Sequence, residues 1–312
     1  MIRYLQNKEI DFVKWDAAVE RSVNGNFSAY SWFLSIVSKH WDALIEDDYE
    51  FIMPLPWKSK FGISYIFQPF FVNQLGVFSS QPVSQDRMNR FVEAIPMKFK
   101  LIESGLNKQN PVPEKKYSFE KKYCQYIDLS LPYIESENKY SDNVLRNIRK
   151  AKKNNLIICE DISPALPVEM FKNFRGIRLG HFTNGDFRML LKLSEKMIRE
   201  SKGFTTGTFD KNGKVFAAAL FTKSHDCITY LKGGVNEEGK QTGAMHFLMD
   251  SVIKKYSDKN LIFDFGGSSV PNVARFNRGF SLSEYTYYII RRNDLPAYLK
   301  WIKNSKDTLK GK

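Results

Sequence analysis

Apolar positions recur along this chain with two periods, and the switches between them mark the expected elements. Residues 2–5 read as a strand, and 11–21 as a helix with Phe12, Trp15, Ala18 and Val19 on one face. Asn24-Gly25-Asn26 breaks that helix, and a second is expected at 29–38. Extended stretches follow at 43–46, 50–56 and 64–78, with Gly62 at the turn between the last two. A helix at 85–94, a strand at 98–104, a polar loop at 107–114 and a strand at 122–129 complete this half.

The second half opens on the strongest helical pattern. Tyr140, Val144, Ile148 and Ala151 keep helical spacing over 140–154, and Ser141 is placed to cap the start. The remaining faces carry Arg146, Arg149, Lys150, Lys152 and Lys153. Beyond Pro164 and Pro167, helices are expected at 169–174 and 187–200, then strands at 203–209, 214–222 and 227–233. Residues 239–243 read as a turn before a helix at 244–256, followed by strands at 261–265 and 285–290 and a short helix at 295–302. The two halves share this order of elements at an offset near 163, with Phe51 matching Lys214 and Lys98 matching Leu261. Identity across the match is low, so the repeat is one of pattern. It predicts an α/β (α+β) fold made of two copies of one module, with domains at 1–138 and 139–312.

Composition narrows the class. The 312 residues carry 47 Lys+Arg against 34 Asp+Glu, a net charge of +13. The longest apolar run, 216–221, is far short of the ~20 residues that span a bilayer. The N-terminus turns polar at once, unlike a signal peptide. Cys124, Cys159 and Cys227 have neither disulfide-framework nor zinc-site spacing. A globular, cytoplasmic protein with no transmembrane segment is expected. The charge is uneven: residues 98–154 hold 13 Lys/Arg and 7 Asp/Glu, net +6, and 291–312 hold 7 and 2, net +5. Such a surface suits a polyanion, whether nucleic acid, anionic headgroups or a phosphate-rich cofactor, and equally a solvated, lysine-rich face.

Candidate chemistry lies in the second half. The strand at 227–233 carries Lys232 and ends in Gly233-Gly234, and the next helix opens after Lys240-Gln241-Thr242-Gly243-Ala244. Glycines there admit close backbone approach, and a helix N-terminus favours phosphate. The segment resembles the pyrophosphate loop of GNAT acyltransferases, Gln/Arg-x-x-Gly-x-Gly/Ala. The matching positions hold Lys240, Gly243 and Met245, so the last small residue is missing. Those eight residues, Lys232, Gly233, Gly234, Lys240, Gln241, Thr242, Gly243 and Ala244, are the candidate donor-binding set. The competing reading is a structural turn. Further on, Asp264 sits in the apolar strand Phe263-Asp264-Phe265-Gly266. Burying even a neutral polar group costs about 2–7 kcal/mol unless it is paired. Asp264 is therefore either a working carboxylate or one paired with Arg275, Arg278 or a backbone amide.

The order of the basic helix, the Gly243 helix, Phe263-Asp264-Phe265-Gly266 and Phe276-x-x-Gly279-Phe280 resembles FemAB-like tandem GNAT acyltransferases over nearly the whole chain. The resemblance implies two GNAT-like modules, each a mixed sheet flanked by helices, and transfer of an acyl or aminoacyl group from a carrier to an amine. It departs at one point. Peptidoglycan-bridge members have Phe-Lys-x-x-Phe-Gly, and the lysine position here is Asn277, with Arg278 next to it. This implies an acyl-CoA-type thioester as co-substrate, with no tightly bound cofactor and no metal, and an amine acceptor such as a cell-wall or polysaccharide precursor. Asp264 is the first candidate for deprotonating or orienting the amine, and His246, two residues into its helix, is the second. Arg275, Phe276, Asn277 and Arg278 are candidates for substrate contact, as is Gln68 in the first half. His40, His181 and His225 lack partners at metal-ligand spacing. Two alternatives stand beside this one: an aminoacyl-tRNA-dependent transferase of peptidoglycan-bridge type, and a non-catalytic RNA- or polyanion-binding protein.

Overall fold

The computed structural model describes residues 1–114, 117–180, 182–267 and 271–295. The expected helix at 295–302, the basic tail, His181 and Ser268-Ser269 lie outside the described residues, apart from Leu295 itself. The chain forms two compact units, one of Met1–Lys122 together with the described residues from Tyr287 to Leu295, the other of Tyr123–Thr286.

The first unit is a mixed sheet in the order Ile2–Leu5, His40–Glu46, Phe51–Lys60, Ile63–Ile66 and Phe99–Gly105. Its last strand comes from the C-terminal part of the chain, where residues 289–293 pair antiparallel with 101–105. Among the described strands of this unit, only the Ile63–Ile66 and Phe99–Gly105 pair is parallel. Helix Phe12–Arg21 starts where the Asp11 side chain accepts the amides of Val13 and Lys14. Helix Gln85–Glu93 buries Met88 and Phe91 against Phe51, Leu55 and Phe99.

The second unit repeats that plan. Its order is Ile157–Glu160, Gly203–Phe209, Val215–Ser224, Cys227–Val235 and Ile262–Asp264. The sixth strand comes from the chain's first half, residues 126–128 pairing antiparallel with 262–264. Again, among the described strands, only the fourth and fifth run parallel. The predicted α/β class, with mixed sheets flanked by helices, is what the chain forms, and Gly203 follows His40 at the predicted offset of 163. Helices Asp142–Lys153 and Ala244–Tyr256 bury Val144, Ile148, Leu248 and Met249 against Ala217, Ala219 and Phe221. The alanines of the central strand let helix Ala244–Tyr256 lie close on it, and helix Asp142–Lys153 packs against that helix.

Several local expectations change. Residues 239–243 are not a turn: Glu237–Thr242 is a short helix, capped where Asn236 Oδ1 accepts the Gly239 amide at 2.7 Å. Gly243, at φ +78°, ends it and starts the next helix. The expected 169–174 helix is Ala165–Phe171, followed by a wider π turn at Lys172–Gly176. The expected extended stretch 64–78 is strand only at Ile63–Ile66 and Phe78–Ser79. Helix Pro271–Phe280 was not anticipated, although Val273, Phe276, Asn277 and Phe280 fall at helical spacing.

Candidate functional site

The second unit's sheet parts at one place. Strand Cys227–Val235 pairs with Ile262–Asp264 only from Cys227 to Thr229. The shorter strand then stops, and its chain turns away through Gly266 and Gly267, at φ +72° and +66°. Among the described residues, 230–235 continue with a strand neighbour on one side only, Val215–Ser224. A cavity of about 420 Å³ lies here, lined by residues 230 and 233–235, the helix starts after Gly243 and Pro271, and the turn around Arg175. A bulge sharpens the geometry: Phe221 faces Tyr230 while Leu220 faces Lys232, so Leu231 is the extra residue. Tyr230 and Lys232, two apart, therefore point to opposite faces. Tyr230 packs by Phe221 at 5.7 Å, and the Lys232 ammonium sits 5.8 Å from the Phe171 ring.

The glycines of this region serve close approach. A Cβ on Gly234 would lie 2.1 Å from the Met170 carbonyl oxygen, and one on Gly243 would lie 2.3 Å from that of Asn147. Gly243 also leaves the helix start without a side-chain cap, and the first intrahelical bond runs from the Phe247 amide to the Gly243 carbonyl. The amides of the first turn, with Ala244 buried and Met245 on the cavity wall, favour an anion.

The electrostatics agree. Among the described lining residues there is no Asp or Glu, whereas Arg175 and Lys240 both contribute cations. Lys240 is held by Glu237 at 2.8 Å. Burial, reinforced by Arg175, brings the Lys232 ammonium down to about 8. Burial pushes the Tyr230 phenol up to about 12, against an opposing pull from Arg175. His246 lies with its ring 4.7 Å from Phe276 and 5.9 Å from Phe280, and burial lowers it to about 4. It is thus a neutral imidazole at physiological pH, a hydrogen-bonding group rather than a strong base. The sign of its effect on stability follows. Between about 6.5 and about 4 the unfolded chain binds the proton and the folded chain does not, so stability falls as pH falls through that window. His246→Gln is expected to flatten this acid limb, measured by urea unfolding at pH 7 and pH 5.

The structure brings some predicted residues to the cavity and leaves others elsewhere. Gly233, Gly234, Lys240, His246, Phe276 and Asn277 line it. Lys232 and Ala244 adjoin lining residues in sequence and Gly243 comes just before Ala244, while Gln241, next to Lys240, is exposed and the Thr242 hydroxyl donates to the Glu238 carbonyl at 2.9 Å. Arg275 and Arg278 are exposed on helix Pro271–Phe280. Gln68 belongs to the first unit, where its Nε2 donates to the Val72 carbonyl at 2.6 Å and its Oε1 accepts the Gly105 amide at 2.7 Å. Asp264 is not among the lining residues. Its carboxylate accepts from Tyr285 Oη at 2.5 Å, the Gly266 amide at 2.7 Å and Cys124 Sγ at 2.9 Å. Burial, then the Asp264 charge, holds the Tyr285 phenol and the Cys124 thiol well above their usual values, so both stay protonated as donors. The sequence reading missed Arg175, Phe174 and Met249, which line the cavity without any motif to mark them. A second cavity, about 590 Å³, lies in the first unit beside Tyr117 and Arg292. Its arginine is already engaged by Asp294 at 2.8 Å and Tyr117 at 3.1 Å.

Among the described residues, no group of three or more His, Cys, Asp or Glu is placed to hold a metal, and no helix is long and apolar enough to cross a membrane. No protein-family model and no curated protein sequence matches the chain. Solved structures do match. FemX aligns with a TM-score of 0.64 at 11% identity, over 92% of this chain and 96% of FemX. A conserved protein of unknown function from Bacteroides thetaiotaomicron gives 0.62 at 10% identity, over 94% and 100%. L-PGS from Bacillus licheniformis gives 0.51 at 12% identity, over 94% and 95%. At such identities the likeness is one of fold: the chain has a FemX-like fold.

Proposed function

We propose that this protein is an N-acyltransferase that moves an acyl group from a CoA-type thioester to an amine, with the donor held in the second unit. One observation carries the reading: the unpaired edge of residues 230–235 opens on a cavity that has cations and a helix start but no lining carboxylate among the described residues. A pantetheine arm bears two secondary amides, which suit a free strand edge, and its phosphates suit the amides after Gly243 with Lys240 and Arg175. The amine nitrogen attacks the thioester carbonyl, the C–N bond forms, and the C–S bond breaks. The amine gives up a proton to water, and the thiolate leaves and takes one up. Backbone amides along residues 230–233 serve the oxyanion, and neutral His246 accepts a hydrogen bond from the amine and so orients it. The acceptor is a precursor amine, of cell-wall or polysaccharide type, recognised with the help of the first unit. A CoA thioester as donor suits a reaction in the cytoplasm.

Thermal shift tests this directly. Acyl-CoA at about 100 times its Kd adds roughly 2.7 kcal/mol, which corresponds to a rise in Tm of several degrees. Arg175→Ala is expected to weaken CoA binding about tenfold and shrink that rise. No shift with acetyl-CoA, longer acyl-CoAs or free CoA would remove the reading. The exposed Arg146, Arg149, Lys150, Lys152 and Lys153 of helix Asp142–Lys153 favour a second reading, an aminoacyl-tRNA donor. Transfer that requires charged tRNA and is abolished by ribonuclease would decide for it.

A further inference from the structure

In the first unit, strands Phe51–Lys60 and Ile63–Ile66 are joined by two residues, with Lys60 paired to Ile63. Phe61 and Gly62 stand at φ +51° and +74°, the pattern of a type I′ turn, whose first position favours asparagine, aspartate or glycine. A bulky aromatic is strained at positive φ. Phe61 is also 91% exposed, so no burial offsets that strain. A Cβ on Gly62 would meet no atom within 4 Å, and the tip stands clear of its surroundings. A side chain unfavourable in both backbone and solvation points to a partner outside the fold. The flank of the hairpin shows its chemistry. Lys60 faces Ile63 and Lys58 faces Tyr65, so these four side chains share one face. The next pair, Trp57 and Ile66, turns to the other face and packs with the core. Lys58 and Lys60 are exposed, and neither makes an ion pair among the described residues. Their ammonium groups lie 4.1 Å from the Phe67 ring and 5.4 Å from the Phe61 ring. From Phe51 to Gln85 the sequence has no Asp or Glu, so the hairpin brings no negative charge of its own.

We propose that the Phe61 hairpin docks the first unit on an anionic bilayer, with Phe61 entering the acyl boundary and Lys58 and Lys60 meeting the headgroups. A convex tip with its cations set back along the side matches the two layers of such a surface. Hydrocarbon takes the ring, and lysines reach the phosphates on apolar stems. A nucleic-acid strand instead needs a basic groove and successive stacking planes, whereas the face beside Phe61 holds aliphatic Ile63. The proposal goes beyond the transferase reading and does not rest on it.

Co-sedimentation of the full-length protein with vesicles tests this, using phosphatidylcholine alone, phosphatidylcholine mixed with phosphatidylglycerol, and a single-stranded RNA as the competing ligand. Wild type is expected to bind the anionic vesicles, and less so as salt rises. Phe61→Asn is expected to lower that partitioning about tenfold and, because asparagine suits the turn, to melt no lower than wild type. Lys58→Gln combined with Lys60→Gln is expected to lower it about tenfold or more and to flatten the salt dependence. Phe61→Trp is expected to keep binding and to add an emission component that brominated acyl chains quench. Failure to bind anionic vesicles, binding unchanged in Phe61→Asn, or Phe61→Trp emission untouched by brominated lipid overturns the proposal. A marked fall in the Tm of Phe61→Asn also overturns it, by showing that the ring serves the fold. RNA binding that Phe61→Asn weakens while vesicle binding stays assigns the tip to nucleic acid and overturns it too. None of these measurements uses an acyl donor, so the transferase reading stands or falls separately.

Discussion

Asp264→Asn is expected to destabilise the second unit by about 2–4 kcal/mol, seen as a lower Tm and urea midpoint before any effect on turnover is considered. The carboxylate takes three donors, Tyr285 Oη, the Gly266 amide and Cys124 Sγ, and it is 8% exposed. An amide keeps one acceptor oxygen and sets its own N–H groups against donors that burial holds protonated. At least one buried donor is then left unpaired, and the charge assistance is lost. Tyr285→Phe and Cys124→Ala each remove one donor and leave the acceptor served by the other two, so smaller losses of about 1 kcal/mol follow. The sequence reading, in which Asp264 deprotonates or orients the amine, predicts instead that Asp264→Asn lowers turnover more than stability. Equilibrium unfolding beside an initial-rate assay separates the two outcomes.

Gly243→Ala is expected to be comparably severe, at about 2–4 kcal/mol. Two effects add. The residue sits at φ +78°, where an L side chain is strained, and its Cβ would meet the Asn147 carbonyl oxygen at 2.3 Å and the carbonyl carbon at 2.8 Å. Both obstacles are backbone, so no rotamer change relieves them. Helix Asp142–Lys153 must shift away or the helix start must move, and either displaces the amides proposed to meet the donor phosphates. The expected signature is a Tm lowered by several degrees together with a reduced Tm rise on adding acyl-CoA. A variant that melts as wild type and keeps its full ligand-induced shift contradicts the close helix crossing.

The sequence carried the periodic parts of this fold well. Helix Asp142–Lys153 follows from Val144, Ile148 and Ala151, with Ser141 accepting the Val144 amide at 3.4 Å as its cap. The repeat was legible because two strands, a helix and a strand follow in the same order in both halves at one offset. The glycines of the donor region were legible too, though what they reveal is close backbone packing at Met170 and Asn147. The cavity was not legible, because it arises where pairing stops. Nothing local says that Ile262–Asp264 is three residues long while its neighbour Cys227–Val235 runs to nine. Arg175 sits in an irregular turn with no periodic pattern, and only the fold brings it near Tyr230. Asn277 was singled out because it departs from a family motif, yet its burial, with two side-chain atoms unpaired among the described residues, is a tertiary fact.

The exchange of sixth strands has a consequence for how the chain is made. Phe99–Gly105 leaves the ribosome early, but the strand that covers its outer edge, residues 289–293, is translated about 170 residues after the end of the first unit's N-terminal stretch. At 5–20 residues per second that is a wait of roughly 10–35 s. Throughout it, the first sheet has a complete run of five strands and a raw edge able to pair with any passing strand. A nascent chain truncated near residue 138 never closes that edge, and it also carries residues 126–128 with no sheet to join. Fragments cut at the repeat boundary are therefore expected to aggregate or to complement each other when co-expressed, and the intact chain to depend on chaperone cover during synthesis.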